Sequence, residues 1–308
     1  MSVKKAEALL ATVIVARATS LLIVKACLGG FMTFNLMALR FGIATLCLFP
    51  FVQKRMKPLQ RGTLLRGAVL GAVFFAIIAV ELKGLRMTNS SAMVSFLENT
   101  AIVLVPLAEA LLHKRFPHRQ NLLCAALALT GVGFLLLRGG RFELSAGVLV
   151  CMGTAILYTG YIILNDRLSH RDDPLMLGFL TIGVVGALSV ASTTLFETPR
   201  LPESGKEWIG TLLLAVVCSS VGTALQPMAQ RYVPSEKACV FCALNPLATC
   251  VMGWVFLSEW QGFTGAAGAA LILGSIVISR VKLPEKREKA VASPIGNRRQ
   301  GKSGAATI

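Results

Sequence analysis

Charged residues are scarce in this sequence. They make up 15% of its 308 residues, whereas a soluble domain carries roughly a quarter. Hydrophobic residues make up 55% of the chain, and the mean hydropathy is +0.68. The core of a soluble protein cannot take up so much apolar sequence, but a lipid bilayer can. The composition therefore excludes an ordinary soluble domain and predicts an all-α integral membrane protein.

Motifs of common catalytic and metal centres are also missing. There is no HExxH zinc motif and no GxSxG nucleophile motif. The three histidines lie in short polar links, and the eight cysteines lie within apolar runs, where cysteine behaves as a small hydrophobe. Cys239 and Cys242 form a CxxC pair, but neither a second pair nor a histidine follows to complete a zinc site. We expect no catalytic residue, no metal and no cofactor.

Short polar or proline-containing links divide the chain into apolar runs of helix length. A helix crosses a bilayer with about 20 residues. Backbone polar groups in lipid must bond within their own segment, so each run is predicted to be a helix. The pattern predicts ten transmembrane helices, at residues 7–28, 33–53, 63–83, 90–112, 120–138, 145–165, 174–196, 208–231, 236–258 and 263–281.

Two stretches of the chain repeat one pattern. Residues 86–137 and 232–280 each combine a polar start, an apolar run, a charged or polar stop and a second apolar run with glycines. We predict two five-helix repeats, at 1–141 and 142–282, followed by a disordered basic cytoplasmic tail at 283–308. Because five is odd, the second repeat enters the membrane from the opposite side. The repeats are therefore predicted to be inverted, a design typical of transporters.

The net charge of +16 comes mainly from basic residues in short links and the tail. Their distribution follows the positive-inside rule if both termini are cytoplasmic. A second consequence is contact with anionic lipid headgroups. No nucleic-acid partner is expected. The N-terminus begins like a signal peptide, but Arg17 and Lys25 interrupt its apolar run, which predicts an uncleaved first helix. We expect a multi-pass protein of a bacterial cytoplasmic membrane. The sequence does not predict its oligomeric state.

Two charges fall at mid-membrane depth, where ionised side chains are costly and mark candidate sites. Arg17 lies in the middle of the first predicted helix, and Glu98 lies within the fourth, followed by Asn99. In a functional interpretation, Arg17 binds a substrate carboxylate or phosphate, and Glu98 binds an amine or a coupling proton. In a structural interpretation, the two charges neutralise each other inside the bundle.

Other residues are predicted to line a central cavity. Tyr158 and Tyr161 lie at mid-depth in the sixth helix, where they can pack on a planar or cationic ligand or on neighbouring helices. Gln226 and Asn245 adjoin prolines, whose helix breaks expose polar backbone to a cavity; the alternative is hydrogen bonding between helices. Trp254 fits either the cavity or an interfacial aromatic belt.

Other features are assigned structural roles. Arg40 is predicted to bond to backbone carbonyls of a neighbouring helix, and Glu81 to lie near the membrane interface. Gly67 and Gly71 have the spacing of a close contact between helices.

The second half of the chain carries a family pattern in AQRYVPSEKACVFCALNPLATCVMGWVFLSEW, followed by GAALILGSIVIS. Pro246 lies in mid-helix, with Glu259 thirteen positions later; the first half has Ile102 and Arg115 at the corresponding places. The ALRF sequence at 38–41 also fits the family pattern. Together these features make most of residues 7–281 resemble the EamA-domain branch of the drug/metabolite transporter superfamily. The resemblance implies a ten-helix carrier with a central cavity and alternating access, more often an exporter.

Two functions fit the sequence. The first is a secondary transporter of small polar organic metabolites, such as amino acids or related zwitterions and carboxylates, with a proton as the candidate coupling ion. The second is a membrane-embedded enzyme acting on lipid or sugar phosphates, which needs a cluster of ionisable residues at a membrane surface. The candidate cluster is Asp166, His170, Asp172 and Asp173, which otherwise forms a solvated link.

Overall fold

The computed structural model describes residues 1–27, 31–53, 60–88, 94, 97–114, 119–136, 146–245, 247–248, 251 and 262–280. Within these ranges the chain is helical and has no strand. The helices are α1 (Val3–Cys27), α2 (Thr33–Val52), α3 (Arg61–Thr88), α4 (Ala101–Leu112), α5 (Arg119–Leu136), α6 (Ala146–Ser169), α7 (Pro174–Phe196), α8 (Gly205–Leu213), a π-helix (Leu214–Val221), α9 (Gly222–Ala224), α10 (Gln226–Gln230), α11 (Ser235–Cys242) and α12 (Gly262–Arg280).

Among the described residues, five helical runs are long and apolar enough to cross a membrane. They are Thr33–Val52, Arg61–Met87, Leu149–Ser169, Pro174–Phe196 and Gly205–Gln230. Large apolar side chains on the surface of the bundle are exposed, including Leu46, Phe51, Leu65, Ile156 and Leu195. Water does not tolerate so much exposed apolar surface on a monomer, whereas lipid tails cover it. The chain is an integral membrane protein that crosses the bilayer several times.

Described helix occurs within every one of the predicted membrane helices, but several ends differ. α3 continues to Thr88 instead of residue 83, and α6 continues to Ser169 instead of residue 165. Ten crossings stay a prediction, because the five runs above are those that meet both the length and the hydropathy of a span in the described part of the chain.

The run Gly205–Gln230 is not a uniform α-helix. It changes to a π-helix at Leu214–Val221 and turns again at Leu225, ahead of α10. The sequence predicted a break at Pro227, but this proline lies in the first turn of α10, where a missing N–H is tolerated. The irregularity therefore begins before the proline, and π-helical turns of this kind often occur at functional sites.

The helices of the two halves pack in matching ways. α3 packs on α6 and α7, and the π-helix packs correspondingly on α1 and α2. Three pairs link equivalent helices of the halves: α2 with α7, α4 with α11, and α5 with α12. The main helix contacts of one half are thus matched in the other half.

The predicted close contact at Gly67 and Gly71 is confirmed. A Cβ atom on Gly67 would lie 2.6 Å from Leu180 Cβ, and one on Gly71 would lie 2.6 Å from Val184 Cβ. Both distances are too short for a real side chain, so these glycines let α3 approach α7 closely.

Polar contacts hold the connections at both ends of the bundle. At one end, Asp172 accepts hydrogen bonds from Thr63 Oγ1 (2.7 Å) and from Nε and Nη2 of Arg66 (2.7 and 2.8 Å). At the opposite end, Glu197 accepts from two backbone N–H groups at the start of α2, at 3.0 and 2.7 Å. We call these the Asp172 end and the Glu197 end. α6 ends at the Asp172 end, whereas α3 and α7 begin there. α6 therefore runs antiparallel to α3 and α7, as alternating helix directions require.

Asp172→Asn is expected to lower the free energy of unfolding by about 1–3 kcal/mol at pH 7, because it removes a charge-assisted contact of a nearly buried side chain. Hydrogen bonds from Arg66 lower the pKa of the Asp172 carboxyl. This contribution is therefore fully present above the unfolded-state pKa of about 3.9 and is lost as the pH falls through the folded-state value. Thermal unfolding in detergent measures it: the wild type and the variant should differ at pH 7 and converge in acid.

Glu203→Gln is the matched control for Asp172→Asn. Its carboxylate also contacts an arginine, with Arg200 Nε at 3.2 Å, but the Glu203 side chain is 74% exposed. Exposed pairs contribute about 0–1 kcal/mol, so this variant should melt close to the wild type. Equal melting of Asp172→Asn and Glu203→Gln would contradict the role assigned to Asp172.

Candidate functional site

Arg17 lies where α1 meets α3, α6 and α10. Its Nη1 donates to Tyr158 OH at 2.7 Å and to Gln226 Oε1 at 3.5 Å. Its Cζ lies 5.2 Å from the centroid of the Tyr158 ring and 5.5 Å from that of Phe74, which are cation–π distances. Tyr161 extends this aromatic wall, stacking on Tyr158 at 6.1 Å and contacting Phe74 at 5.0 Å. Tyr158 thus packs on a cation that belongs to the chain itself, and Tyr161 supports the Tyr158 ring.

Glu98 faces Arg17 without a close hydrogen bond. Its Oε1 lies 3.8 Å from Arg17 Nη2, and both side chains are largely buried, with exposures of 12% for Arg17 and 4% for Glu98. Oε2 of Glu98 has no hydrogen-bond partner in the described part of the chain. A buried carboxylate needs a partner charge and hydrogen bonds to offset its lost hydration. Glu98 has the partner charge but keeps one oxygen able to accept a further donor.

These side chains surround a small cavity. It is lined by Ile14, Arg17, Glu98, Asn99, Tyr158, Cys242 and Asn245, and its free volume is about 10 Å³, room for about one water molecule. Pockets for small molecules typically measure about 300–1,000 Å³, so in this conformation the cavity is too small for an organic metabolite. The lining carries a cation, an anion, amides and a phenol within one apolar bundle.

A glycine makes room for Arg17. Gly222 follows the π-helix directly, and a Cβ atom there would lie 2.9 Å from Arg17 Cγ. A side chain at this position would push Arg17 away from Tyr158. The close approach of α9 to α1 therefore sets the position of the guanidinium.

A second pair of charges lies near Arg17. Arg40 donates from Nε to Ser219 Oγ at 2.6 Å and from Nη1 to Ser20 Oγ at 2.9 Å. These bonds fit the structural role predicted for Arg40, but its partners are hydroxyls of the π-helix and of α1 in place of the backbone carbonyls suggested by the sequence. The interfacial position predicted for Glu81 is wrong: α3 continues beyond it, and its side chain is buried and interacts electrostatically with Arg17 and Arg40.

The structure brings most of the predicted site residues together. Arg17, Glu98, Asn99, Tyr158 and Asn245 line the cavity. Gln226 contacts Arg17, and Tyr161 supports Tyr158. Trp254 lies outside the described residues.

Sequence reasoning missed three residues of the site. Ile14 and Cys242 line the cavity, and Phe74 packs on Arg17. An apolar residue in an apolar helix carries no signal of its own. Cys242 could have been found, because it lies three positions before Asn245 and therefore shares its helix face.

The four residues considered for an enzyme make structural contacts, His170 through its Nδ1 to the backbone oxygen of Asp166 at 2.8 Å. Asp172 binds Thr63 and Arg66, as described above. Asp173 caps α7, accepting from the backbone N–H of residues 175 and 176 at 2.9 and 3.1 Å. Asp166 accepts from Ser235 Oγ at 2.8 Å. These bonds tie helix ends together and do not line the cavity around Arg17.

If Arg17 binds the substrate, Tyr158→Phe is expected to weaken that binding ten-fold or more, because a hydrogen bond to a charged group contributes about 1.5–3 kcal/mol. Tyr161→Phe is the matched control, since the buried Tyr161 OH has no hydrogen-bond partner in the described structure. Its removal should leave binding within two-fold and stability equal or higher. Titration of both purified variants with a bound solute measures the difference; equal effects would contradict the orienting role of Tyr158.

Comparisons with known proteins give one consistent result. A family model described as the EamA-like transporter family matches residues 4–137 and again residues 145–281. Two uncharacterized transporters of Archaeoglobus fulgidus are similar to the chain. One is 22% identical over 80% of this chain and 86% of the relative, and the other is 24% identical over 85% and 81%. A crystal structure of another protein, 20% identical, matches 90% of this chain and 97% of that one with a TM-score of 0.75, and so shares its fold.

Proposed function

This chain belongs to the EamA-like transporter family, and we propose that it is a secondary transporter of small polar organic metabolites, amino acids or related zwitterions and carboxylates. The observation that carries the proposal is the buried pair of Arg17 and Glu98 beside a cavity, with one oxygen of Glu98 left without a partner. A zwitterion supplies a carboxylate that binds the Arg17 guanidinium and an ammonium group that donates hydrogen bonds to the Glu98 carboxylate.

Alternating access fits this architecture. The exchange-symmetric packing of the halves and the double match of the family model support ten membrane helices in two inverted repeats. The cavity lies among α1, Glu98 and Asn99 just before α4, α6 and the end of α11. These elements come from both halves, so rocking of one repeat against the other changes access to the cavity. Because the cavity is small, it widens in the conformation that admits substrate. Export is the direction that the family resemblance favours.

Binding and transport assays test the proposal. The purified protein is screened in detergent by thermal shift against the twenty amino acids, simple carboxylates and sugar phosphates, because a ligand of the folded state raises the melting temperature. The compounds that bind are then tested for counterflow in liposomes. We expect at least one zwitterion or carboxylate to bind and to exchange across the bilayer. Chemical conversion of a phosphate compound without transport would favour the enzyme instead.

A further inference from the structure

A line of buried amide side chains connects the cavity to the Asp172 end. Gln226 accepts from Arg17 at 3.5 Å and donates from Nε2 to Gln230 Oε1 at 3.4 Å. Asn165 Nδ2 donates to the same oxygen of Gln230. All three amides are buried, and we call them the amide column. The next residue after Asn165 bonds to the start of α11, so the column reaches the helix ends on that side.

The amide column is incompletely hydrogen-bonded. Gln230 Nε2 and Asn165 Oδ1 are both buried and have no partner in the described structure. A buried amide that served only to join α6 to α10 would be expected to use its donors and acceptors fully, because an unsatisfied polar group in a low-dielectric interior destabilises the protein. Both unsatisfied groups belong to side chains that bond to each other, and Gln226 connects this pair to Arg17. A molecule that approached Arg17 along these side chains would therefore meet a free donor and a free acceptor.

We propose that the amide column is the route of the substrate between Arg17 and the Asp172 end, and that Asn165 and Gln230 contact the substrate on its way. The inference rests on the proposed transport function and adds residues to it. An amide offers a donor and an acceptor without net charge, so it binds either end of a zwitterion but does not hold it tightly, as conduction requires. In this structure the side chains close the route. When the Asp172 end opens, water or substrate satisfies both groups.

Labelling tests the route without knowledge of the substrate. The probe is 2-sulfonatoethyl methanethiosulfonate, a charged reagent that modifies thiols reached by water, applied to Gln230→Cys. Ser189→Cys is the control, because Ser189 is equally buried but lies on α7, with its hydroxyl bonded to its own helix. Mass spectrometry assigns the modified position, since the chain has eight cysteines of its own. We expect Gln230→Cys to react at least ten-fold faster than Ser189→Cys; equal rates would overturn the inference.

A transport assay tests the contact with substrate. The double variant Asn165→Leu/Gln230→Leu removes both unsatisfied groups at similar volume but leaves Gln226 Nε2 without its acceptor, so its melting temperature is measured before transport. We expect its counterflow of the amino-acid panel to fall at least ten-fold while the thermal shift caused by the same compounds persists. Ser189→Ala/Thr193→Val, a buried polar pair off the column, should transport normally. Unchanged transport by the leucine variant overturns the inference. If the wild type transports none of the compounds, the proposed function is wrong. The labelling rates then decide whether the amide column is a route that water can reach.

Discussion

Arg17→Ala is expected to reduce substrate binding and transport by about thirty-fold or more. Removing one partner of a buried, hydrogen-bonded charge pair costs about 2–5 kcal/mol of binding free energy, and every 1.4 kcal/mol is ten-fold in affinity. The measurement is the dissociation constant of the best binder in detergent, together with the initial rate of counterflow in liposomes. An effect of this size is expected because side chains of three helices position the Arg17 guanidinium and Gly222 makes room for it.

A loss of folding must be separated from this loss of binding. Arg17→Ala leaves Glu98 as a buried carboxylate that has lost the pairing shown in the structure, which destabilises the protein. Arg17→Gln/Glu98→Gln removes both charges and should restore the melting temperature without restoring transport. Arg17→Lys keeps the charge but loses the planar fork that binds a carboxylate through two hydrogen bonds, so it should retain partial activity.

These variants distinguish the two interpretations of Arg17. If the pair is purely structural, the neutral double variant transports as well as the wild type. That result would contradict the binding role of Arg17 and transfer the search for the site to Arg40 and Glu81.

The sequence pointed to Arg17 and Glu98, which the structure brings together, because charges are conspicuous in apolar helices. Arg17 and Glu98 are costly in a membrane wherever they lie, so their presence alone indicates function or pairing. Gln226 was found through its proline neighbour, although the helix becomes irregular earlier, in the π-helix. A π-helix depends on how its surroundings satisfy the shifted backbone bonds, and these lie far away in sequence.

Other parts of the site could not be predicted from the sequence. Phe74 contacts Arg17 from an apolar stretch of α3, and nothing in its neighbourhood distinguishes it from Phe75. Glu81 was misplaced because the end of α3 was placed five residues too early, and a helix end in an apolar run has a weak signal. Asn165 and Gln230 are 65 positions apart, so their pairing emerges only when α6 and α10 pack together.

Glu98→Gln is expected to abolish uptake driven by a pH gradient while leaving substrate exchange intact. A substrate carboxylate that binds Arg17 competes with Glu98 for the same cation. The displaced Glu98 is then a buried charge without a partner, and it regains neutrality by taking up a proton. A simple carboxylate should therefore move with a proton, whereas the ammonium of a zwitterion can pair with Glu98 directly. Glutamine resembles the protonated side chain in shape but cannot release a proton, so the coupling is lost and binding to Arg17 persists.

Glu81→Gln is the matched control for this coupling. Glu81 is a buried carboxylate that interacts electrostatically with Arg17, but it does not line the cavity. The Glu81→Gln substitution should alter the stability of the protein more than its proton coupling, so uptake driven by a pH gradient should survive. The measurement is accumulation of a labelled carboxylate in liposomes with an imposed pH gradient, beside counterflow at equal pH. If Glu98→Gln still accumulates substrate as the wild type does, Glu98 does not carry the proton. If Glu81→Gln alone loses accumulation, the coupling site lies one helix away, between Arg17 and Arg40.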